Sequence, residues 1–367
     1  MKAAEKIREI EIEIQKIPLE SVTYQSYETA ESREQKISQL ILEKTRFCDP
    51  VIQKRVLSEF ESFGPIDFLL NDPTITEVLI NSPQDIWFEK TGELCRLDDS
   101  FTTELTYRHF IERLCLKAQA QVSAEYPIAN GHLANHRLHI AGFDISGKYP
   151  LISLRRHPEN PWTFEKLIEA NWCSNEDAQF LEEIMRSKEN FIVIGGTGSG
   201  KTSVLNACLQ KLQSNERAVI IEDTPELKTP NTVSAKLVTR PAKQGILAPI
   251  DQAELVRQSL RMRPDRIVVG EVRGPEAKDL LLALSTGHSG SFGSLHAMNA
   301  HQALLRLEML IQLGAPQWSL RSIRSMIHLS LKYIVTVGRT AEGKRCLREI
   351  HQLSSLEESG ILLDRVR

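Results

Sequence analysis

The sequence lacks the features that mark membrane, secreted or disulfide-stapled proteins. No apolar run approaches the roughly 18 residues that a membrane-spanning helix needs, and the first 18 residues carry too many charges for a signal peptide. No two cysteines form a CxxC pair. We therefore expect a cytoplasmic chain with reduced, buried thiols, and neither a disulfide framework nor a zinc site. The cysteines are Cys48, Cys95, Cys115, Cys173, Cys208 and Cys346.

The chain also lacks an excess of charge of either sign. Its 367 residues include 45 Lys and Arg against 48 Asp and Glu, a formal net charge of -3. A general basic field that would attract nucleic acid is thus absent, and we expect no specific nucleic-acid partner. The hydrophobic fraction of 41% and the charged fraction of 25% are those of an ordinary globular protein. The length predicts two domains, or three small ones.

Residues 1–63 show three stretches of helical periodicity. A first helix ends at Pro18 and carries isoleucines three or four residues apart, at Ile7, Ile10, Ile14 and Ile17. The polar stretch 21–32 is expected to be loop, and a second helix then runs to about Lys44. A third helix, 51–63, follows Asp49-Pro50, a cap with proline at the first helical position. This helical unit is either a packing appendage or a docking module, and the sequence favours the appendage.

Residues 64–157 predict a small α+β domain. A helix is expected at Leu105–Ala120, and strands at Thr76–Asn81, Asp85–Glu89, Arg137–Ala141 and Leu151–Arg156. The first two strands are three residues apart and read as a hairpin. Two prolines then fall within residues 158–162, which we expect to be a linker.

Residues 163–367 alternate between helical and strand patterns. Short apolar runs at Phe191–Ile194, Ala218–Ile221 and Ile267–Val269 read as buried strands separated by helices. Such alternation predicts an α/β domain built on a mostly parallel sheet that helices cover on both faces.

One glycine-rich motif sets the expected chemistry. The stretch 195–202 reads GGTGSGKT, which matches GxxxxGK[ST], between a predicted strand and a predicted helix. In such a loop, backbone N–H groups and the following helix N-terminus bind phosphate. Lys201 is expected to reach the β- and γ-phosphates of ATP, and Thr202 to bind Mg²⁺. The predicted nucleotide-binding residues are Gly195, Gly196, Thr197, Gly198, Ser199, Gly200, Lys201, Thr202 and Ser203.

Two acidic residues are candidates for the catalytic carboxylates. Glu271 follows the third predicted strand and Asp265 precedes it. Because ligands bind at the carboxyl ends of parallel strands, Glu271 is the expected partner of Mg²⁺, directly or through water. Glu222 opens an acidic cluster with Asp223 and Glu226 after the second strand. We expect Glu222 to orient the attacking water.

A segment with two histidines follows. His288 and His296 are eight residues apart in a glycine-rich stretch. Neutral imidazoles could position the γ-phosphate there. Because His301 is a further histidine nearby, metal binding is a weaker alternative. The sequence alone does not distinguish the phosphate-positioning role from the metal-binding role.

Taken together, these motifs resemble the secretion ATPase superfamily of type II and type IV secretion and pilus assembly. Four ordered stretches carry the resemblance: GPIDFLLNDPTITEVLINSPQDIWFEKTGEL from Gly64, IIEDTPEL from Ile220, LRMRPDRIVVGEVRGPEA from Leu260 and TGHSGSFGSLHAMNAHQALLRLE from Thr286. Within the superfamily the chain is most similar to the CpaF/TadA subfamily of the Tad pilus systems.

The resemblance implies a homohexameric ring of RecA-like P-loop domains, each preceded by the smaller α+β domain. It implies ATP and Mg²⁺ as cofactors, a position at the cytoplasmic face of the inner membrane, and a platform protein there as partner. It gives Lys201 and Thr202 the Walker A role, Glu271 the Walker B role and Glu222 the Asp box role. His288 and His296 fall on the His box. Arginines that reach the phosphates in such rings match Arg137, Arg155 and Arg240.

Three alternatives remain open. Conjugative type IV secretion ATPases share these motifs, and RecA-like rings also translocate nucleic acid. A non-hydrolysing, nucleotide-gated scaffold is the third. Because 191–203 offers only one cation, Lys201, we expect at least one arginine to arrive by domain closure or from a neighbouring protomer.

Overall fold

The computed structural model describes residues 3–16, 27–157, 161–240, 248–358 and 360–367. The chain forms two compact units, Met1–Glu159 and Asn160–Arg367. Most of the expected linker, residues 158–160, lies outside the described residues. The division of the first unit into a helical part and an α+β part stays a prediction.

Three helices open the first unit: α1 (Ala3–Gln15), α2 (Tyr27–Thr45) and α3 (Pro50–Glu61). They share a small core of Ile7, Ile10, Ile41 and Val56. The predicted start of α3 is confirmed, because the Asp49 carboxylate accepts the N–H of Val51 and Pro50 is the first helical residue. The loop predicted for 21–32 is wrong from Tyr27 onward. Glu28, Ala30 and Glu31 in this stretch are strong helix formers. Ile17 and Pro18 lie outside the described residues.

The rest of the first unit is a six-stranded antiparallel sheet with short helices. The strand order is β3-β2-β1-β6-β5-β4. The elements are α4 (Asp67–Asn71), α5 (Glu104–Lys117), α6 (Phe143–Ser146), β1 (Ile75–Ser82), β2 (Asp85–Lys90), β3 (Glu93–Arg96), β4 (Ile128–Leu133), β5 (His136–Ala141) and β6 (Leu151–Arg156). Inward-facing strand residues such as Val78 and Leu138 share one core with Phe110 of α5. The predicted strands are confirmed. Strand β4 was missed because Gly131 interrupts its pattern, and that glycine lets the strand pass close to the Ala118 carbonyl.

The second unit is an α/β domain on an eight-stranded sheet in the order β14-β13-β12-β7-β11-β10-β8-β9. The strands from β12 to β9 run parallel, and β13 and β14 extend the β12 edge antiparallel. The helices are α7 (Phe164–Glu169), α8 (Asn175–Arg186), α9 (Lys201–Leu209), α10 (Gln252–Ser259), α11 (Glu276–Ser285), α12 (Ala300–Gly314) and α13 (Leu320–Ser330). The strands are β7 (Phe191–Ile194), β8 (Ala218–Glu222), β9 (Ala235–Val238), β10 (Arg266–Val272), β11 (Phe292–Leu295), β12 (Tyr333–Arg339), β13 (Arg345–Leu356) and β14 (Ile361–Arg365).

Alternate residues of the central strands pack on opposite faces of this sheet. Ile192 and Ile194 join the core under α11, α12 and α13, whereas Phe191 and Val193 join the core under α8 and α9. The predicted mostly parallel sheet with helices on both faces is therefore confirmed. No helix among the described residues is long and apolar enough to cross a membrane. All six cysteines are free, but the prediction of buried thiols holds only for Cys208, since the other five are partly exposed.

Candidate nucleotide-binding site

The predicted phosphate-binding loop joins β7 to α9. Two of its glycines adopt left-handed backbone conformations, Gly198 at φ +67° and Gly200 at φ +98°, and α9 begins at Lys201. A Cβ on Gly195 would come within 2.5 Å of the Val337 carbonyl, so the loop can approach the neighbouring strand only as glycine. The loop and the first turn of α9 form a cradle that suits the phosphates of ATP.

Lys201 lies at the centre of this cradle. Its ammonium donates to the carbonyls of Gly195 at 2.9 Å and Gly196 at 3.1 Å, and its Nζ is 3.4 Å from Nδ1 of His296. Burial lowers the Lys201 pKa, an effect that Glu271 opposes and Arg273 reinforces. The charge of Glu271 therefore acts on the Lys201 ammonium.

Glu271 belongs to β10 and does not follow it, because the strand continues to Val272. Its Oε2 accepts a hydrogen bond from Nη2 of Arg273 at 2.5 Å. The carboxylate of Glu276 holds the turn that places this arginine, since its Oε1 accepts the N–H groups of Arg273 at 2.6 Å and Gly274 at 2.7 Å. Sequence reasoning missed Arg273, although its place two residues after the strand-end acid was a usable signal. Asp265 lies at the other end of β10 and accepts the N–H of Arg217 at 2.8 Å.

Glu222 is a buried carboxylate that stabilises a turn. Its Oε1 accepts the N–H groups of Glu226 and Leu227, each at 2.9 Å, and its Oε2 lies 3.4 Å from the Lys236 ammonium. Burial raises the Glu222 pKa, and the nearby lysine opposes this. The side chain also packs against Gly270, where a Cβ would lie 3.0 Å from the Glu222 Cγ. The structure thus brings Glu222 beside the strand that carries Glu271.

The two histidines occupy opposite ends of β11. His296 directly follows the strand and reaches Lys201, and burial together with that lysine lowers its pKa. His288 precedes the strand, and its Nδ1 lies 3.1 Å from the Ala283 carbonyl oxygen. Since β11 is about 10 Å long at 3.3 Å per residue, His288 lies at the far edge of the sheet. The structure therefore does not bring His288 to the phosphate-binding loop of its own chain. In the described parts of the chain, no three His, Cys, Asp or Glu side chains are grouped to hold a metal ion.

The structure also does not bring Arg240 to the loop of its own chain. This residue follows β9, the edge strand that is four positions away from β7 in the sheet. At about 4.8 Å per strand, that is on the order of 19 Å. The Arg240 Nη2 donates instead to the Ala248 carbonyl at 3.0 Å.

Arg137 and Arg155 are neighbours in the first unit. They are directly opposite each other on β5 and β6, and Glu77 of β1 is opposite Arg155 on its other side. Arg155 is exposed and Arg137 partly exposed. The two arginines therefore belong to the outward face of this sheet, not to the face that packs on α5.

Two further arginines contact the phosphate-binding loop and were missed. Arg339 at the end of β12 and Arg345 at the start of β13 both donate to the Gly198 carbonyl, at 3.1 Å and 3.0 Å. They are more than 140 residues away in sequence, so only the pairing of β12 with β7 reveals them. Residues 191–203 themselves offer only Lys201, and these two arginines add cations beside the loop from a distant part of the same chain.

The fold and the site together define a P-loop ATPase of the RecA-like class. A parallel sheet carries the GxxxxGK[ST] loop at its carboxyl edge, with a lysine, a strand-end glutamate and a histidine grouped beside it. The chain belongs to the family of type II/IV secretion system proteins, whose model matches residues 59–340.

Individual relatives agree with this assignment. A putative conjugal transfer protein of Mycobacterium tuberculosis is 34% identical over 311 residues, which cover 83% of this chain and 88% of the relative. The conjugal transfer protein TrbB of Rhizobium radiobacter is 29% identical, covering 77% and 85%. Among solved structures, the Yersinia pseudotuberculosis ATPase DotB aligns with a TM-score of 0.55 at 20% identity, covering 79% of this chain and 78% of that chain. The pilus retraction motor PilT with bound ADP aligns with a TM-score of 0.53 at 19% identity, over the same shares. These two structures support the fold.

Proposed function

We propose that this chain is an ATP-hydrolysing, homohexameric motor that powers pilus assembly or protein secretion across the inner membrane. The observation that carries the proposal is the grouping of Lys201, His296 and Glu271 around a phosphate-binding loop, in a member of the secretion family. A non-hydrolysing scaffold would need neither a strand-end carboxylate nor a histidine beside the lysine.

Each residue of the loop region has a role in this mechanism. Lys201 neutralises charge on the β- and γ-phosphates, and the N-terminus of α9 adds positive potential. Glu222 is assigned to orient the attacking water, and Arg273 sets the direction of the Glu271 carboxylate. Thr202 and Glu271 are the residues that would hold Mg²⁺, which supplies further charge neutralisation when bound. Two protein ligands suffice, since Mg²⁺ keeps several waters and phosphate oxygens.

The basic pair Arg137 and Arg155 is assigned to the step that couples hydrolysis to motion. These arginines belong to an outward sheet face, so they are accessible to a ligand. We assign them to the phosphates of a nucleotide bound in the same or the adjacent protomer. Hydrolysis would then be coupled to rigid-body motion of one unit against the other. Arg240 and His288, which lie away from the loop of their own chain, are assigned to the neighbouring protomer's site.

The Tad pilus system is the proposed setting, with an inner-membrane platform protein as partner and the cytoplasmic face as location. Conjugative type IV secretion is the second candidate, favoured by the relatives named for conjugal transfer. No specific nucleic acid is expected in the Tad setting.

A genetic experiment separates the two settings. A strain without this gene is complemented with the natural sequence or with Lys201→Ala. Sheared surface pilin and plasmid transfer frequency are then measured side by side. Loss of surface pilin with normal transfer supports the Tad assignment, and loss of transfer with normal pilin supports conjugation. If neither quantity changes in the deletion strain, the motor proposal is contradicted.

A further inference from the structure

The hairpin formed by β12 and β13 ends in a hydrogen-bonded turn beside the phosphate-binding loop. Its turn is closed by hydrogen bonds from the Thr340 N–H to the Lys344 carbonyl at 2.7 Å and from the Gly343 N–H to the Thr340 carbonyl at 3.0 Å. The Arg339 Nη1 also donates to the Gly343 carbonyl at 2.9 Å. The Arg339 side chain therefore bonds to the turn through Nη1 and to the phosphate-binding loop at Gly198 through Nη2.

A second guanidinium meets the same loop oxygen. Arg345 pairs with Arg339 across the hairpin, and its Nε donates to the Gly198 carbonyl. Its Cδ would lie 3.2 Å from a Cβ on Gly200, so the arginine also lies along the last glycine before Lys201. Two cations from one hairpin thus hold a single peptide of the loop. The family match ends at residue 340, so Arg345 lies beyond it.

Both guanidinium groups contact a backbone carbonyl of the loop and not one of its N–H groups. In phosphate-binding loops the backbone N–H groups face the phosphates. A cation bound to an outward carbonyl can therefore hold the loop in its binding conformation without occupying the phosphate position. Guanidinium groups stay charged at every physiological pH, so this effect does not depend on titration.

We propose that Arg339 and Arg345 are positioning residues for nucleotide binding, which hold the Gly198 peptide and add two fixed positive charges behind the phosphates. This inference rests on the proposed binding of ATP at the loop. Losing one charge-assisted hydrogen bond of this kind typically weakens binding about tenfold. Removing both arginines should then weaken ATP binding by about 10- to 100-fold.

The test measures ATP affinity of the full-length protein by isothermal calorimetry. The variants are Arg339→Ala, Arg345→Ala, the double variant, and a double Arg→Lys variant that keeps both charges. Arg348→Ala is the matched control, because Arg348 donates to the Arg339 carbonyl at 2.8 Å and supports the hairpin, with no hydrogen bond to the loop. Melting temperatures are recorded for all of them.

The inference predicts a graded loss of affinity in the alanine variants, recovery of most of it in the double lysine variant, and a change below about twofold in Arg348→Ala. A lower salt dependence of ATP binding should accompany the loss, as fewer charges act on the phosphates. Equal affinity in the natural protein and the double alanine variant would overturn it, as would an equal loss in Arg348→Ala. If the natural protein itself binds no ATP, the proposed function fails first, and this inference with it.

Discussion

The Nζ of Lys201 and the Nδ1 of His296 are 3.4 Å apart, and the two residues follow strands that are neighbours in the sheet. The lysine begins α9 after β7, and the histidine directly follows β11. Burial, and after it the charge of the Lys201 ammonium, lowers the His296 pKa and so favours the neutral imidazole. A neutral imidazole beside the phosphate-binding lysine can accept or donate a hydrogen bond without competing for the phosphate charge.

The first prediction concerns the protonation of His296. Its pKa should lie below the ordinary 6.5, chiefly because of burial and secondly because of Lys201. Lys201→Met removes the charge and leaves the burial, so the pKa should rise toward 6.5. NMR titration of the imidazole Hε1 resonance measures both values. A natural-protein pKa at or above 6.5, or no change in the variant, would contradict this arrangement.

The second prediction ranks the two acids of β10. Glu271→Gln should retain ATP binding and lose hydrolysis by roughly 10²- to 10³-fold, as expected when a group that stabilises the transition state is removed. Asp265→Asn is the control at the other end of the same strand, where an amide oxygen can still accept the Arg217 N–H. It should change the rate less than about threefold. Phosphate release at saturating ATP gives the ranking, and the reverse order would show that the wrong carboxylate was assigned.

The third prediction concerns the buried carboxylate of Glu222. Its pKa in the folded chain is raised above 4.5, so the folded state binds the proton more tightly than the unfolded state does. The free energy of unfolding of the natural protein should therefore fall relative to Glu222→Gln as the pH rises from about 4.5 through the raised pKa. The glutamine keeps an oxygen for the N–H groups of Glu226 and Leu227.

Urea unfolding of both proteins between pH 4.5 and 8 gives this difference. A difference that does not vary with pH would show that the Glu222 pKa is not raised. The water-orienting role is tested separately by the ATPase rate of Glu222→Gln at pH 7.5. A rate near that of the natural protein would contradict the water-orienting role. Glu222 would then only stabilise the turn after β8.

The fourth prediction concerns arginines that act between protomers. Arg155→Ala subunits mixed into the natural protein should lower the ATPase rate below the fraction of natural subunits, since such an arginine is typically worth about 10³–10⁵ in rate. Arg108→Ala, which changes an exposed arginine of α5, serves as the control and should not lower the ATPase rate of the mixture. The rate per subunit should also rise with concentration as rings form in a parallel sizing measurement. A proportional loss on mixing would argue against the shared site.

Residues close to a local motif were predictable, and residues brought together by sheet order were not. The GxxxxGK[ST] loop and Glu271 follow from short stretches whose chemistry depends on a strand end. Arg339 and Arg345 depend on β12 lying next to β7, which no short stretch specifies. His288 was named together with His296 because both fall on the His box, but that stretch of sequence does not show which end of β11 each residue occupies.

The same limit applies to the fold. Apolar patterns identified most strands of the first unit and strands β7, β8 and β10 of the second. They missed β11, which lies between β7 and β10, and β12. Strand β4 was hidden by its glycine, and the start of α2 by polar residues that form helix. The antiparallel strands β13 and β14 sit at the edge of the sheet, and their partly exposed residues give a weaker pattern than the buried strands do.

The most direct test of the account is the rate of ATP hydrolysis by the purified protein and by Lys201→Ala, measured with Mg²⁺ at equal oligomeric state. Lys54→Ala, which changes an exposed lysine of α3, is the control. Steady phosphate release is expected from the natural protein and from the control. Lys201→Ala should lose at least 10²-fold in rate at an unchanged melting temperature. Equal rates in the natural protein and in a folded Lys201→Ala variant would contradict the assignment of this loop as the catalytic site.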